Sequence, residues 1–151
     1  PLPITDIYNY TKLREKMDIP VMATEFPCGW LDDYAPWIMN KATDMLRGDV
    51  MIKGGLTSML KIAHLAEAFA MNLEIHHGSN STNDFANLHI QMAIPNTRFM
   101  EILLPKEAWW HAVIEDIDID AEGFAHAPTK PGLGCEINLD LVESQKIAVL
   151  S

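Results

Sequence analysis

Short apolar runs separated by amphipathic stretches of about 12 to 16 residues recur along this chain, a rhythm that suits parallel strands joined by helices. Four such units are predicted. Ile19–Glu25 (IPVMATE), Asp49–Lys53, Leu73–His77 and Phe99–Leu104 read as the strands. Thr5 or Asp6 caps a helix through Tyr8, Leu13 and Met17, and Asp32 and Asp33 open a second with Trp37, Ile38 and Met45 on its inward stripe. Thr57 or Ser58 opens the third, whose Met59, Ile62, Ala63, Ala66 and Phe69 recur at helical spacing while Lys61, His64 and Glu67 lie off that stripe. Asp84 opens a fourth through Leu88, Ile90 and Met92. Beyond Pro105 the pattern turns to acidic-apolar alternation with turn residues, which predicts a tail with small β structure packed on the same molecule.

Charge and composition narrow the partners. A formal charge of −10 with 11 scattered basic residues argues against nucleic acid, whose phosphates require clustered Lys and Arg. Cys28 and Cys135 are too few for a disulfide scaffold and lack zinc-site spacing, so a reducing cytoplasm is expected. No run approaches the ~20 apolar residues of a membrane span, and no membrane partner is expected. The chain opens on Pro1 rather than Met, so it is expected to be an internal or incomplete piece of a longer one.

In parallel βα architectures the chemistry collects at the C-terminal ends of the strands, where the loops line one mouth. Glu25 closes the first predicted strand, Asp49 lies in the second, His76 ends the third and Glu101 lies in the fourth. Neighbours in this series are about 25 residues apart, one βα repeat. A carboxylate in an apolar strand is costly unless paired or metal-bound, so four ionisable residues in register point to one shared site. An Asp beside a His suggests a dyad in which the carboxylate orients the imidazole for general acid/base work. Glu25 suits a hard cation such as Mg²⁺, and a protonated Glu101 could donate a hydrogen bond to a developing oxyanion.

Blander readings cover the remaining candidates. His64 and His89 fall in predicted helices and read as surface or capping residues, and the nine Met residues as core filling. His111 and His126 sit in the tail. Trp109-Trp110 reads as tail packing, and Cys28 as unreactive for want of a nearby His. The Glu115–Asp120 run lacks the Gly and bidentate Glu of a calcium loop and reads as a solvated strand.

IPVMATE, GDVMIKGGLTS, KIAHLAEAFAMNLEIH, AIPNTRFMEILLP and PTKPGLGCEINLD together resemble the mandelate racemase and acid sugar dehydratase branch of the enolase superfamily. The resemblance spans nearly the whole chain. It implies an α/β fold, the C-terminal half of a (β/α)8 (TIM-like) barrel. Residues 1–112 would carry strands five to eight, and 113–151 a segment that packs on an N-terminal capping domain. It further implies Glu25 as a metal ligand for Mg²⁺, Asp49 and His76 as the acid/base dyad, and Glu101 as donor to an enediolate. His77 is the fallback for His76. The muconate-lactonizing branch carries Lys where Asp49 stands. The implied activity is a Mg²⁺-dependent dehydratase of a sugar acid, a small carboxylate substrate, in a cytoplasmic homo-oligomer. A racemase, epimerase or cycloisomerase using the same enolisation is the alternative, and a non-catalytic half-barrel is the alternative of another class.

Overall fold

A computed structural model describes residues 2–26, 29–78, 81–109 and 112–149. Helix α1 (Ile7–Lys16) starts at Asp6, whose carboxylate accepts the Asn9 N–H at 3.1 Å, so the capping signal is realised one residue before the helix. Strand β1 (Met22–Ala23) follows, then a single 3-10 turn (Leu31–Asp33) leading into α2 (Tyr34–Met39). Next come β2 (Met45–Gly48), α3 (Leu56–Ala68), β3 (Leu73–Ile75) and α4 (Thr82–Ala93). The short helices α5 (Lys106–Trp109) and α6 (Leu139–Gln145) belong to the tail. No helix among the described residues is long and apolar enough to cross a membrane.

The strands pair in parallel in the order β1-β2-β3, with Met22 beside Met45 and Leu46 beside Leu73. Their helix-facing side chains and the stripe of α3 make the core: Leu46, Leu73, Met59, Ile62, Ala63 and Ala66 are fully buried. Tyr10 of α1 meets Trp37 of α2 edge to face, ring centroids 5.0 Å apart, which closes the core on the first helix.

Several sequence expectations are corrected. The second strand is Met45–Gly48 rather than Asp49–Lys53: the apolar Val50-Met51-Ile52 run belongs to a turn in which Ile52 and Lys53 N–H donate to the Asp49 carbonyl and Gly55 N–H to that of Val50. Gly54 and Gly55 have φ of 77° and 96°, a left-handed backbone that β-sheet pairing does not allow. Met45, expected on the stripe of α2, lies in β2. Phe69 caps the end of α3 and is exposed, as are Met17 and Met92 at their helix ends.

The first strand shrinks from seven residues to two for a local reason. Thr24 has φ of 87° and turns the chain out of the ladder, while its Oγ1 accepts from Arg47 N–H at 2.8 Å and donates to Arg47 O at 3.1 Å in place of main-chain pairing. The segment predicted as a fourth strand, Phe99–Leu104, runs beside β3 without joining the sheet. Leu73 N–H reaches Asn96 O at 2.8 Å, but the Glu74 carboxylate accepts the N–H groups of Arg98 and Phe99, each at 3.2 Å. A side chain thus takes the donors that a ladder would use.

The tail packs on the same molecule, as expected, and does so against α4. Phe85 and Leu88 of α4 bury against Val113 and Ile117, with Leu133 and Cys135 over them, and His89 Nε2 lies 3.1 Å from Leu133 O. Among the described residues its β structure amounts to two isolated bridges, Val113 with Ile137 and Ile119 with Ala125. Cys28, Trp110 and His111 lie outside the described residues.

Candidate active site

Side chains alternate across a strand, so Leu46 and Gly48 face the helices while Arg47 faces the opposite side. The alternation continues into the residues just past each strand. Asp49 follows the last residue of β2, His76 follows the last of β3, and Glu25 lies two beyond β1. These three converge as their spacing predicted, although Asp49 stands after its strand rather than within it.

His76 Nδ1 lies 3.1 Å from Asp49 Oδ2, and its Nε2 lies 3.3 Å from Glu25 Oε1. Asp49 is almost completely buried, whereas His76 keeps part of its ring exposed. The carboxylate therefore orients the ring from below. Burial pushes the Asp49 carboxyl up, but hydrogen bonds from His76, from Asn83 and from the Met51 N–H outweigh it and hold the group below the ordinary carboxylate range. The hydrogen bond to Asp49 pushes the His76 imidazole up; burial opposes this, and the negative charge of Glu25 reinforces it.

Glu101 arrives from the segment after β3. Its Oε2 accepts from the His77 N–H at 3.1 Å and from Arg47 Nη2 at 2.6 Å. Both donors fall on the same oxygen. Arg47 Nε reaches Glu25 Oε2 at 3.0 Å, so one guanidinium in the middle strand bridges two of the carboxylates.

His77, the alternative to His76, turns away from this cluster into α4. It is buried, with Nε2 2.9 Å from Gln91 Oε1 and Nδ1 3.5 Å from Asp84 Oδ1. The Gln91 amide donates to Phe99 O at 2.7 Å, which fixes its oxygen as the acceptor and makes His77 Nε2 the donor.

Sequence reasoning missed Arg47, Asn83 and Asn87. Asn83 Nδ2 donates to both oxygens of Asp49, at 2.9 and 3.1 Å. Asn87, fully buried one turn further along α4, accepts the Val50 N–H and donates to His76 O, each at 2.9 Å. The available signals were a charged residue two positions before Asp49, hence on the same strand face, and two Asn four apart, hence on one helix face.

Glu25 is a hard oxygen donor of the kind Mg²⁺ takes, but Arg47 and His76 already contact its two oxygens. Among the described residues no three His, Cys, Asp or Glu side chains form a metal-ligand group. Glu25 fits as one ligand, not as a set.

Parallel strands linked by helices, with ionisable side chains gathered just past the strand ends, define an α/β domain of the class that carries its chemistry at that face. The chain belongs to the enolase superfamily: the enolase C-terminal domain-like family model matches residues 1–141. It is 31% identical over 107 residues to the D-xylonate dehydratase of Haloferax volcanii, covering 71% of this chain and 26% of that protein. It is 30% identical over 141 residues to the arabinonate dehydratase of Saccharolobus solfataricus, covering 89% of this chain and 36% of that one. The structure of D-glucarate dehydratase from Agrobacterium tumefaciens complexed with magnesium superposes with a TM-score of 0.84 at 32% identity, over 98% of this chain and 39% of that chain. The chain thus spans well under half the length of these relatives.

Proposed function

We propose that this chain supplies the acid/base side of an acid sugar dehydratase. The observation that carries the reading is the His76–Asp49 pair at 3.1 Å, its ring partly exposed and its carboxylate buried beneath. The names of the dehydratase relatives support a sugar acid as substrate.

In such a reaction the C–H bond α to the carboxylate breaks and its electron pair moves into an enediolate. The β C–O bond then breaks, hydroxide leaves as water after taking a proton, and the enol product tautomerises to a 2-keto-3-deoxy acid. His76 carries the proton, as the acid for the leaving hydroxide or as the base when the substrate presents its other face. Asp49 keeps the imidazole oriented and its charge balanced. Glu101 is the proposed hydrogen-bond donor to the oxygen on which charge develops, a role it can fill only in its protonated form. A divalent cation such as Mg²⁺, with Glu25 among its ligands, would supply charge stabilisation at the substrate carboxylate. Residues 1–112 form the catalytic βα units of this reading, and 113–151 the segment that meets a capping domain.

The test is α-proton exchange. The full-length protein in D₂O, offered xylonate, arabinonate, galactonate and glucarate in turn, should wash deuterium into one of them and release its 2-keto-3-deoxy product. His76→Asn should abolish release of the 2-keto-3-deoxy product, whereas His77→Asn should leave His76 chemistry in place. Exchange that survives His76→Asn while water loss stops would make His76 the acid rather than the base, and water loss that survives would remove this residue from the mechanism. Exchange without loss of water would instead favour a racemase or epimerase.

A further inference from the structure

Arg47 has no part in the chemistry just described, yet it lies at the centre of the cluster. It is the third residue of the middle strand, with its side chain 15% exposed. Nε meets Glu25 Oε2 at 3.0 Å, and Nη2 meets Glu101 Oε2 at 2.6 Å. Glu25 follows β1 and Glu101 comes from the segment beyond β3, so the guanidinium ties the two outer elements through the central one. Its backbone is fixed as firmly as its head group: the N–H and carbonyl of Arg47 are both engaged by the Thr24 hydroxyl, and Tyr34 Oη donates to the same carbonyl at 3.1 Å.

We infer that Arg47 is a positioning residue, whose planar fork sets the separation and orientation of Glu25 and Glu101 on either side of His76. This rests on the dehydratase reading for its consequence in turnover, but the geometric part stands independently. Without the guanidinium the Glu25 and Glu101 carboxylates would lose the cation between them. Lys could supply a charge but not two donors in fixed directions, so it could engage one carboxylate at a time. Because Arg47 acts through groups that stabilise charge as it develops, its loss should fall on the chemical step rather than on substrate capture.

The experiment compares Arg47→Met and Arg47→Lys with the unmodified full-length enzyme. For Arg47→Met, kcat should fall on the order of 100-fold, as a misplacement of about 1 Å commonly costs. KM should stay within about threefold, since the interaction is made through the chemical step. Arg47→Lys should recover part of the loss. Guanidinium at low millimolar concentration should raise the activity of Arg47→Ala, while urea at the same concentration should not. A kcat for Arg47→Met within about threefold of the unmodified enzyme would overturn the inference.

A substrate-free arm judges the geometry even when no sugar acid turns over, which would count against the dehydratase reading alone. Arg47→Met, Glu101→Gln and the double variant are compared by thermal unfolding. The double variant should lose less Tm than the two single losses combined, because the second change removes a contact already gone. Additive losses would show that the two side chains do not act together and would refute the assignment.

Discussion

Asp49 carries its charge against the pull of burial, and the His76 imidazole is the main beneficiary. Converting Asp49 to Asn removes the largest influence raising His76 and leaves burial in place. The Arg47 charge further lowers the imidazole, against the opposing effects of Glu25 and Glu101. The His76 pKa in Asp49→Asn is therefore expected to fall below its value in the unmodified protein, which a ¹H–¹⁵N NMR titration of the ring would measure. An unchanged titration would mean that the dyad does not set the charge of the ring. The linkage to stability follows in sign. A raised imidazole pKa contributes stability that is complete below the ordinary value of 6.5 and disappears as pH climbs through the folded value. A lowered carboxyl pKa contributes stability that is present above 3.8 and disappears as pH falls through the folded value. The pair thus stabilises the fold most between those two limits, and Asp49→Asn should flatten the pH dependence of Tm across that window.

At the scale of elements, the helices were more legible than the strands. The stripe of α3 was readable because Met59, Ile62, Ala63 and Ala66 repeat at 3.6-residue spacing over a long segment. Strand limits were not, because Val50-Met51-Ile52 is as apolar as a strand, and only the paired glycines after it reveal a turn. The site positions Glu25, Asp49, His76 and Glu101 could be read from their recurrence at one βα interval. Arg47 could not, since its reach to the carboxylates of two other elements exists only after folding. Asn83, read as the end of the loop before Asp84, and Asn87 were hidden for a similar reason: a polar residue in a loop or on a helix reads as solvent-facing until the strand ends are packed against it. Leu46, fully buried between α3 and the sheet, is the test of this core. Leu46→Ala should cost about 2–5 kcal/mol in denaturant unfolding, a range set by how far the cavity collapses. A loss below about 1 kcal/mol would mean that the sheet is not packed as described.

For the whole molecule, the exposed apolar surface is the informative feature. In the order β1-β2-β3, β1 is an edge strand, and its Met22 is 37% exposed; Phe99 and Leu104, beyond β3, are 72% and 73% exposed. Open sheet edges flanked by apolar side chains invite pairing with further strands. Residues 1–151 expressed alone should therefore elute from size-exclusion chromatography as associated species, or precipitate at micromolar concentration. A well-folded monomer would count against the half-barrel reading. The formal charge of −10 should slow this association at low ionic strength and permit it as salt is added.

Helix α4 has work on both sides. Asn83 and Asn87 hold the Asp49–His76 pair, while Phe85 and Leu88 anchor Val113 and Ile117 of the tail. The tail is thus one helix away from the proposed acid/base pair. In a deep mutational scan scored on turnover, sensitive positions should extend through Val113 and Ile117, and a lesion there would masquerade as an active-site defect while leaving every reacting group intact.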